Sequence, residues 1–578
     1  MRMKNAFLRL LPVLAGSLIL NSCATILPPE DEPSAYGAFL AARYAGVNRD
    51  AEGAASYYAE ALNRAPGDAT LADRAYITAL LSGRMDEASR YAEQSVAAGD
   101  PSRLASLYVA ADEIASRNYS QARRIISAAP DYGPFNDFVA QLMHHWALVG
   151  VGDEAEALDS ARAMAAPGYL GPFISLHRAM LLEAAGRYDQ ARELYAATVF
   201  VTPFRRMAVE VYGGFLERQR RSDEAVQLYQ TYLNGAPYET SIIEALERAQ
   251  SGGRAPSRPT ISEFAGLSLF GPAASLAAQA DMDLTVLYLR MIQRLDPDYA
   301  PNRILLGETL QRINLPEVAL AEYASVRSGP FRLSAQIDLI WLTARLDQLD
   351  RAAAMSQRLL EETGDNEARL ILADIYRVTD RCGEAIGLYQ EVIANREAAG
   401  ELPDWRYHYF AASCHYLLDE LDAAEAQYLV ALDIDPNQAQ VLNDLGYLWL
   451  DNGRHLDRAF DMVQQAAYLE PSLGHIIDSL GWAHYRLGNY EAAVLELERA
   501  TALDPGNATA NYHLGDAYWR VGRELEARFQ WRRTLDLEAD PAEIEGARER
   551  LENGLPEAET ITAENNAAED LATENSNP

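Results

Sequence analysis

Three Leu-Gly pairs recur toward the C-terminal end of the chain: Leu445-Gly446, Leu480-Gly481 and Leu514-Gly515, at steps of 35 and 34 residues. Ala459, Ala493 and Ala527 follow them in one register. The first two copies close on Pro471 and Pro505, the third on Ala539 just before Pro541. A fixed period in this range marks a chain of stacked helical units, each too small to bury its own apolar face. The small Gly of one helix and the small Ala of the next let two antiparallel helices approach closely. Tyr490, Leu497, Phe529 and Trp531 are expected to fill the space around that contact. Gly488 and Gly522 fall at the interhelix turn, where a positive φ is cheap for Gly. The terminal Pro cannot continue the second helix. Prolines and glycines recurring in phase exclude one long amphipathic helix.

This unit resembles the tetratricopeptide repeat (TPR), a 34-residue helix–turn–helix. The resemblance implies an all-α solenoid, a right-handed superhelix of antiparallel helix pairs. The phase persists in weaker form along the chain. Ala54, Tyr58, Ala61 and Pro66 hold it, as do Gly186, Tyr188, Ala191, Tyr195 and Pro203. Roughly 14 repeats fit, about six before residue 250 and about eight from 261 to 541. Residues 251–260 are rich in Gly, Pro and Ser and interrupt the period, so they are expected to link an N-terminal arm, 35–250, to a C-terminal arm, 261–541. The unit that follows carries Phe270-Gly271-Pro272 inside its first helix. A capping helix is expected over 542–555. Residues 556–578 carry six acids, no base and no aromatic, the composition of a disordered tail.

The first 22 residues read as a removable leader. Arg2, Lys4 and Arg9 precede an apolar run, Leu10 to Leu20, too short to anchor by spanning a bilayer. The run ends Leu20-Asn21-Ser22-Cys23, which resembles the lipobox of bacterial lipoproteins, with Asn21 a slight departure. The resemblance implies lipidation at Cys23, which becomes the mature N-terminus, and residues 23–34 as a lipidated linker. Ala24 stands where an Asp resembles an inner-membrane retention signal, which points to the periplasmic face of the outer membrane of a Gram-negative bacterium. An ordinary cleaved leader with an incidental Cys is the alternative.

Composition narrows the function. The net charge of −34 argues against a nucleic-acid partner, whose phosphates need a basic surface. Lys4 is the single lysine, so a mature chain without it has no Walker A lysine, Schiff-base lysine or Ser–Lys dyad. His144 and His145 are adjacent and so point to different sides of a helix; His408 and His415 lack a carboxylate at ligand spacing. No metal site and no cofactor is expected. Cys382 falls at the start of one second helix and Cys414 late in the next first helix, ends that are neighbours in a stack. In an oxidising compartment the pair suggests a disulfide; two buried thiols are the alternative.

In the TPR family the first helix of each pair lines the concave side, and its positions 2, 5, 9, 12 and 13 face the groove. Carried onto this chain, the resemblance nominates Arg406, Tyr409 and Tyr416 in the unit from 405. It nominates Asn443 and Tyr447 in the unit from 439. The next two units supply Asp478, Trp482, Tyr485 and Arg486, then Tyr512, Asp516, Trp519 and Arg520. Tyr, Trp and Arg dominate binding hot spots. Packing in the core is the competing role for these aromatics. The architecture resembles proteobacterial outer-membrane TPR lipoproteins, among them an adaptor that activates a carboxyl-terminal processing protease and presents cell-wall hydrolases to it. The implied function is a non-enzymatic scaffold that binds periplasmic or envelope proteins. A structural subunit of an envelope assembly or secretion complex is the alternative. A TPR-associated glycosyltransferase is disfavoured, because the repeats leave no room for an α/β catalytic domain.

Overall fold

The structure, a computed structural model, describes residues 34–98, 102–128, 133–164, 171–278, 282–537 and 539–556. Cys23 and the acidic tail beyond Pro556 lie outside them. The described residues hold thirty helices, numbered in chain order from α1 (Ala35–Val47) to α30 (Pro541–Asn553), and no strand. Helices α1 to α12 make six antiparallel pairs, a single α13 (Thr240–Gln250) follows, and α14 (Ile261–Ala277) to α17 (Pro316–Ser325) make two more; α18 (Arg332–Arg345) packs on α17, α19 (Leu349–Thr363) packs on α20 (Asn366–Val378), and α20 to α29 (Glu524–Asp536) make five pairs. No described helix is long and apolar enough to cross a membrane.

The pairs of the regular region are α24 (Ala439–Asp451) with α25 (Leu456–Leu469), α26 (Gly474–Arg486) with α27 (Tyr490–Leu503), and α28 (Ala508–Arg520) with α29. Their closeness depends on the Leu-Gly motif. A Cβ at Gly446 would lie 2.7 Å from the Val463 side chain, at Gly481 2.5 Å from Leu497, and at Gly515 2.4 Å from Trp531. Leu497 and Trp531 are fully buried. Burying Leu497 alone contributes roughly 1.5–3 kcal/mol. Gly488 and Gly522 both adopt φ +79° at the turns. Phe529 departs from the expected packing. It is 64% exposed, because it sits four residues before Arg533 on the outward side of α29 while Trp531 takes the inward side. His484, three residues after Gly481 on α26, is half buried, edge-on to Phe460.

The chain forms two compact units, one ending at Asp347 and the other beginning at Gln348. The boundary read at 251–260 is not where they part. In the first unit α14 packs on α7 (Pro134–Val151) and α9 (Gly171–Ala184), and α15 (Met282–Leu295) packs on α3 (Ala69–Ser82) and α5 (Arg103–Ala115). α14 is apolar all round, which suits a helix covered on every side. From Phe264 to Ala273 every residue is buried. Gly271 admits the Phe173 and Phe204 rings, where a Cβ would lie 2.7 Å from Phe173. The Gly- and Pro-rich segment before α14 is tied down. The Arg258 guanidinium donates to the carbonyls of Glu183 and Ala184 at 2.9 and 2.6 Å, and Thr260 caps α14 in a capping box with Glu263.

Two of the polar networks inside this unit hold α14 and α15. Arg290 of α15 is fully buried; it donates to the Leu80 carbonyl and to Gln293, and pairs with Glu322, which also takes Arg303. Between α7, α9 and α14, the Ser268 hydroxyl donates to the Phe264 carbonyl and so accepts from Trp146 Nε1 and His177 Nδ1, both at 2.9 Å. His177 Nε2 then accepts from His145 Nδ1 at 3.1 Å, and His145 Nε2 accepts from Ser160 at 3.0 Å. Each ring nitrogen has a partner only if both imidazoles are neutral.

Candidate functional site

In the second unit α26 packs on both α24 and α28, the first helices of neighbouring pairs, whereas α25, α27 and α29 do not pack on one another in this way. The stack is therefore closer on the first-helix side, and that side is concave. It bears the nominated residues, with α22 (Trp405–Leu417) extending it upstream and α30 closing it downstream.

Partners one repeat apart stitch this face. The Tyr409 hydroxyl donates to Asp444 at 2.9 Å, and His475 meets Gln440 at 3.1 Å. His513 Nδ1 bonds Asp478 at 3.0 Å, Arg520 Nε donates to the Tyr485 hydroxyl at 3.2 Å, and Arg486 donates to the Asp451 carbonyl at 3.1 Å. Thr509 donates to Glu543 at 2.6 Å. Each pair is separated by 34 or 35 residues. Complementary side chains at that interval are thus the sequence signal for Asp444, His513 and Glu543, which the family positions do not nominate.

The nominated residues fall into three sets. Asn443, Asp478 and Asp516 are each 1% exposed and belong to the interior of the face. Asp516 accepts from Trp531 Nε1 at 2.9 Å and pairs with Arg550 of α30 at 2.8 Å; burial nonetheless raises its carboxyl above the ordinary range. Burial alone would lower the His513 imidazole, but the hydrogen-bonded Asp478 carboxylate outweighs it and holds the group above its usual value. A second set is covered by the end of the chain. Trp519 lies against Gly554 and Trp531, Arg520 donates to the Pro556 carbonyl at 2.6 Å, and Arg550 stands 4.5 Å over the Tyr512 ring. These three serve to dock α30.

The third set remains partly open. Trp482 stacks on His513 at 4.1 Å and on Tyr485 at 4.8 Å, with Arg486 at 5.9 Å from its ring, and its Nε1 is buried without a partner. Tyr409, Tyr416 and Tyr447 are half buried, and Arg406 is exposed beside Asp404. This is an aromatic surface supported from beneath by hydrogen-bonded charges, an arrangement suited to binding a chain by stacking and by polar contacts.

Cys382 opens α21 (Cys382–Ala398) and Cys414 lies late in α22. Both are buried in one apolar cluster, where the Cys414 thiol engages Cys382 and burial pushes it well up. They are free thiols in this structure. The described residues contain no cluster of three or more potential metal ligands. His415 is taken by Glu420 at 2.6 Å and His408 by Gln427 at 2.8 Å.

Comparison with known proteins places these helix pairs. Sequence profiles described as "Tetratricopeptide repeat" match residues 176–240 and 372–439, and one described as "TPR repeat" matches 481–522. The TPR repeat-containing protein PA4667 of Pseudomonas aeruginosa is 26% identical over 199 residues, 34% of this chain and 33% of that protein. The match thus spans about a third of the relative's length. Among solved structures, Cut9–Hcn1 of the APC/C aligns over 90% of this chain and 96% of its own at 15% identity and TM-score 0.37. YrrB, described as a TPR protein with an unusual peptide-binding site, aligns over 30% of this chain and 88% of its own at 18% identity and TM-score 0.26.

Proposed function

This chain is a tetratricopeptide-repeat protein, and from that premise we propose that it is a non-enzymatic adaptor held at the periplasmic face of the outer membrane by a lipidated Cys23. In this reading its second unit binds envelope proteins or extended segments of them and delivers them to a periplasmic carboxyl-terminal processing protease. The observation that carries the binding role is the half-open aromatic row of α22 to α26, centred on Trp482 stacked between Tyr485 and His513. An aromatic cluster left partly in water is the kind of surface that a partner covers. The anchoring role is supported by the leader and Leu20-Asn21-Ser22-Cys23; an acylated Cys with more than one chain anchors stably.

The test is a capture from detergent-solubilised envelope with the protein as bait, read by mass spectrometry, followed by assay of any captured protease with and without the protein. A protease whose activity rises on addition supports the adaptor. Recovery only as a fixed-stoichiometry part of one large complex would make it a structural subunit instead.

A further inference from the structure

The part of the concave face shared by α22 and α24 has a charge that its own chain leaves uncovered. Among the described residues the donors that reach the Asp444 carboxylate are all neutral: the Tyr409 hydroxyl at 2.9 Å, Gln440 Nε2 at 2.8 Å and Asn443 Nδ2 at 3.0 Å. A carboxylate half buried with only neutral donors favours a cation beside it. The nearby arginines are engaged. Arg377 lies over the Phe410 ring and 3.7 Å from Asp374, and Arg486 holds the Asp451 carbonyl.

A second observation is independent of the acidic charge. Asn443 is 1% exposed, and its Oδ1 is buried with no hydrogen-bond partner while its Nδ2 binds Asp444. A buried acceptor without a donor is costly, and a ligand with N–H groups removes that cost. The surroundings are aromatic and acidic. Burial, then the Asp451 and Asp444 carboxylates, pushes the Tyr416 hydroxyl up to about 12. Burial first, then the Asp451 and Asp478 carboxylates and Tyr416, raises the Tyr447 hydroxyl. The faces of tyrosine rings attract a cation.

We propose that this surface holds a cationic side chain, lysine or arginine, of a partner peptide, its N–H groups on Asp444 and Asn443 Oδ1 and its stem against Tyr416 and Tyr447. The inference deepens the peptide-binding reading above and rests on it. It makes the groove selective for basic segments, the opposite of a groove that captures a terminal carboxylate with lysines.

The experiment uses the chain from Ala24 onward, which keeps every described residue. Its probes are short peptides of one shared sequence with Lys, Arg, norleucine or Glu at a central position, and binding is read by anisotropy. The expected result is Lys and Arg bound roughly tenfold tighter than norleucine, with Glu weakest. Asp444→Asn, which keeps size and the Tyr409 contact, abolishes the preference. Its far-ultraviolet circular dichroism and melting curve are compared with the parent's, and Tyr447→Phe, which keeps the ring, retains the preference. Equal binding of Lys and norleucine overturns the inference and leaves the groove reading standing, provided that Trp482→Ala weakens both. A Lys preference that survives Asp444→Asn places the cation elsewhere and overturns the assignment. Absence of any binding sensitive to Trp482→Ala removes the groove reading and the inference with it.

Discussion

At the scale of single residues, Gly481 and the two tryptophans Trp482 and Trp519 test different things. Gly481→Leu drives a side chain into Leu497, since even a Cβ would stand 2.5 Å from it. Overpacking of this kind costs about 1–3 kcal/mol, and thermal melting is expected to fall accordingly. Trp519 holds the Gly554 end of α30 and touches Trp531. Trp519→Ala is therefore expected to lower stability by about 2 kcal/mol or more by opening that contact. Trp482→Ala should weaken partner capture by about 2 kcal/mol if the residue is a hot spot, with a smaller loss of stability than Trp519→Ala. Equal losses of stability in the two variants would place both side chains in the core. The two tryptophans share the family's groove positions, and nothing in the repeat pattern separates them. The returning end of α30 does.

At the scale of elements, α14 is held to α7 and α9 by neutral imidazoles, and this gives a pH dependence with a definite sign. Burial, then the neighbouring His144 charge, lowers His145 from 6.5 to about 4; burial, then His145, lowers His177 well below 6.5. In the unfolded chain both groups take protons as pH falls through about 6.5. In the folded chain they resist until the lowered values are reached. The unfolded state then binds more protons, so the stabilising contribution is complete above pH 6.5 and is lost as pH falls toward 4. Melting of the protein followed by calorimetry from pH 7.5 downward is expected to show the first unit losing stability across that window. A flat profile would mean that a cation is tolerated in the network. The segment 251–260 makes a second prediction. Its composition suggests a hinge, but Arg258 and Thr260 fasten it to α9 and α14. Limited proteolysis is expected to spare it; early cleavage there into two stable pieces would restore the boundary that its sequence suggests.

At the scale of the whole molecule, the anchoring proposal turns on one atom, the Cys23 sulfur. Cys23→Ser is expected to move the protein from the membrane fraction to the soluble periplasm, or to leave an unprocessed precursor. Membrane fractionation unchanged by the substitution would assign the anchor to another segment. The surface acidity of the chain, net −34, leaves the anchor with little help from anionic lipid.

The amino-acid sequence by itself determined the helix pairs. Gly446, Gly481 and Gly515 against Ala459, Ala493 and Ala527 set the close approach, and Gly488 and Gly522 set the turns, because these are local requirements of size and backbone φ that each repeat states for itself. It also placed Cys382 beside Cys414, since one repeat of separation puts them at adjoining helix ends. Only the tertiary structure decided where the units divide and which groove residues stay open. The return of α14 and α15 onto helices about ninety residues or more earlier depends on long-range packing that no local period encodes. Phe529 and Trp531 are two residues apart and alike in hydrophobicity, yet the rotation of α29 sends one to water and the other to the core. The covering of Trp519, Arg520 and Tyr512 by α30, and the half-buried charge of Asp444 beside the unsatisfied Asn443, arise from contacts between elements. Their free energies are settled when the chain closes on itself, not by the residues taken singly.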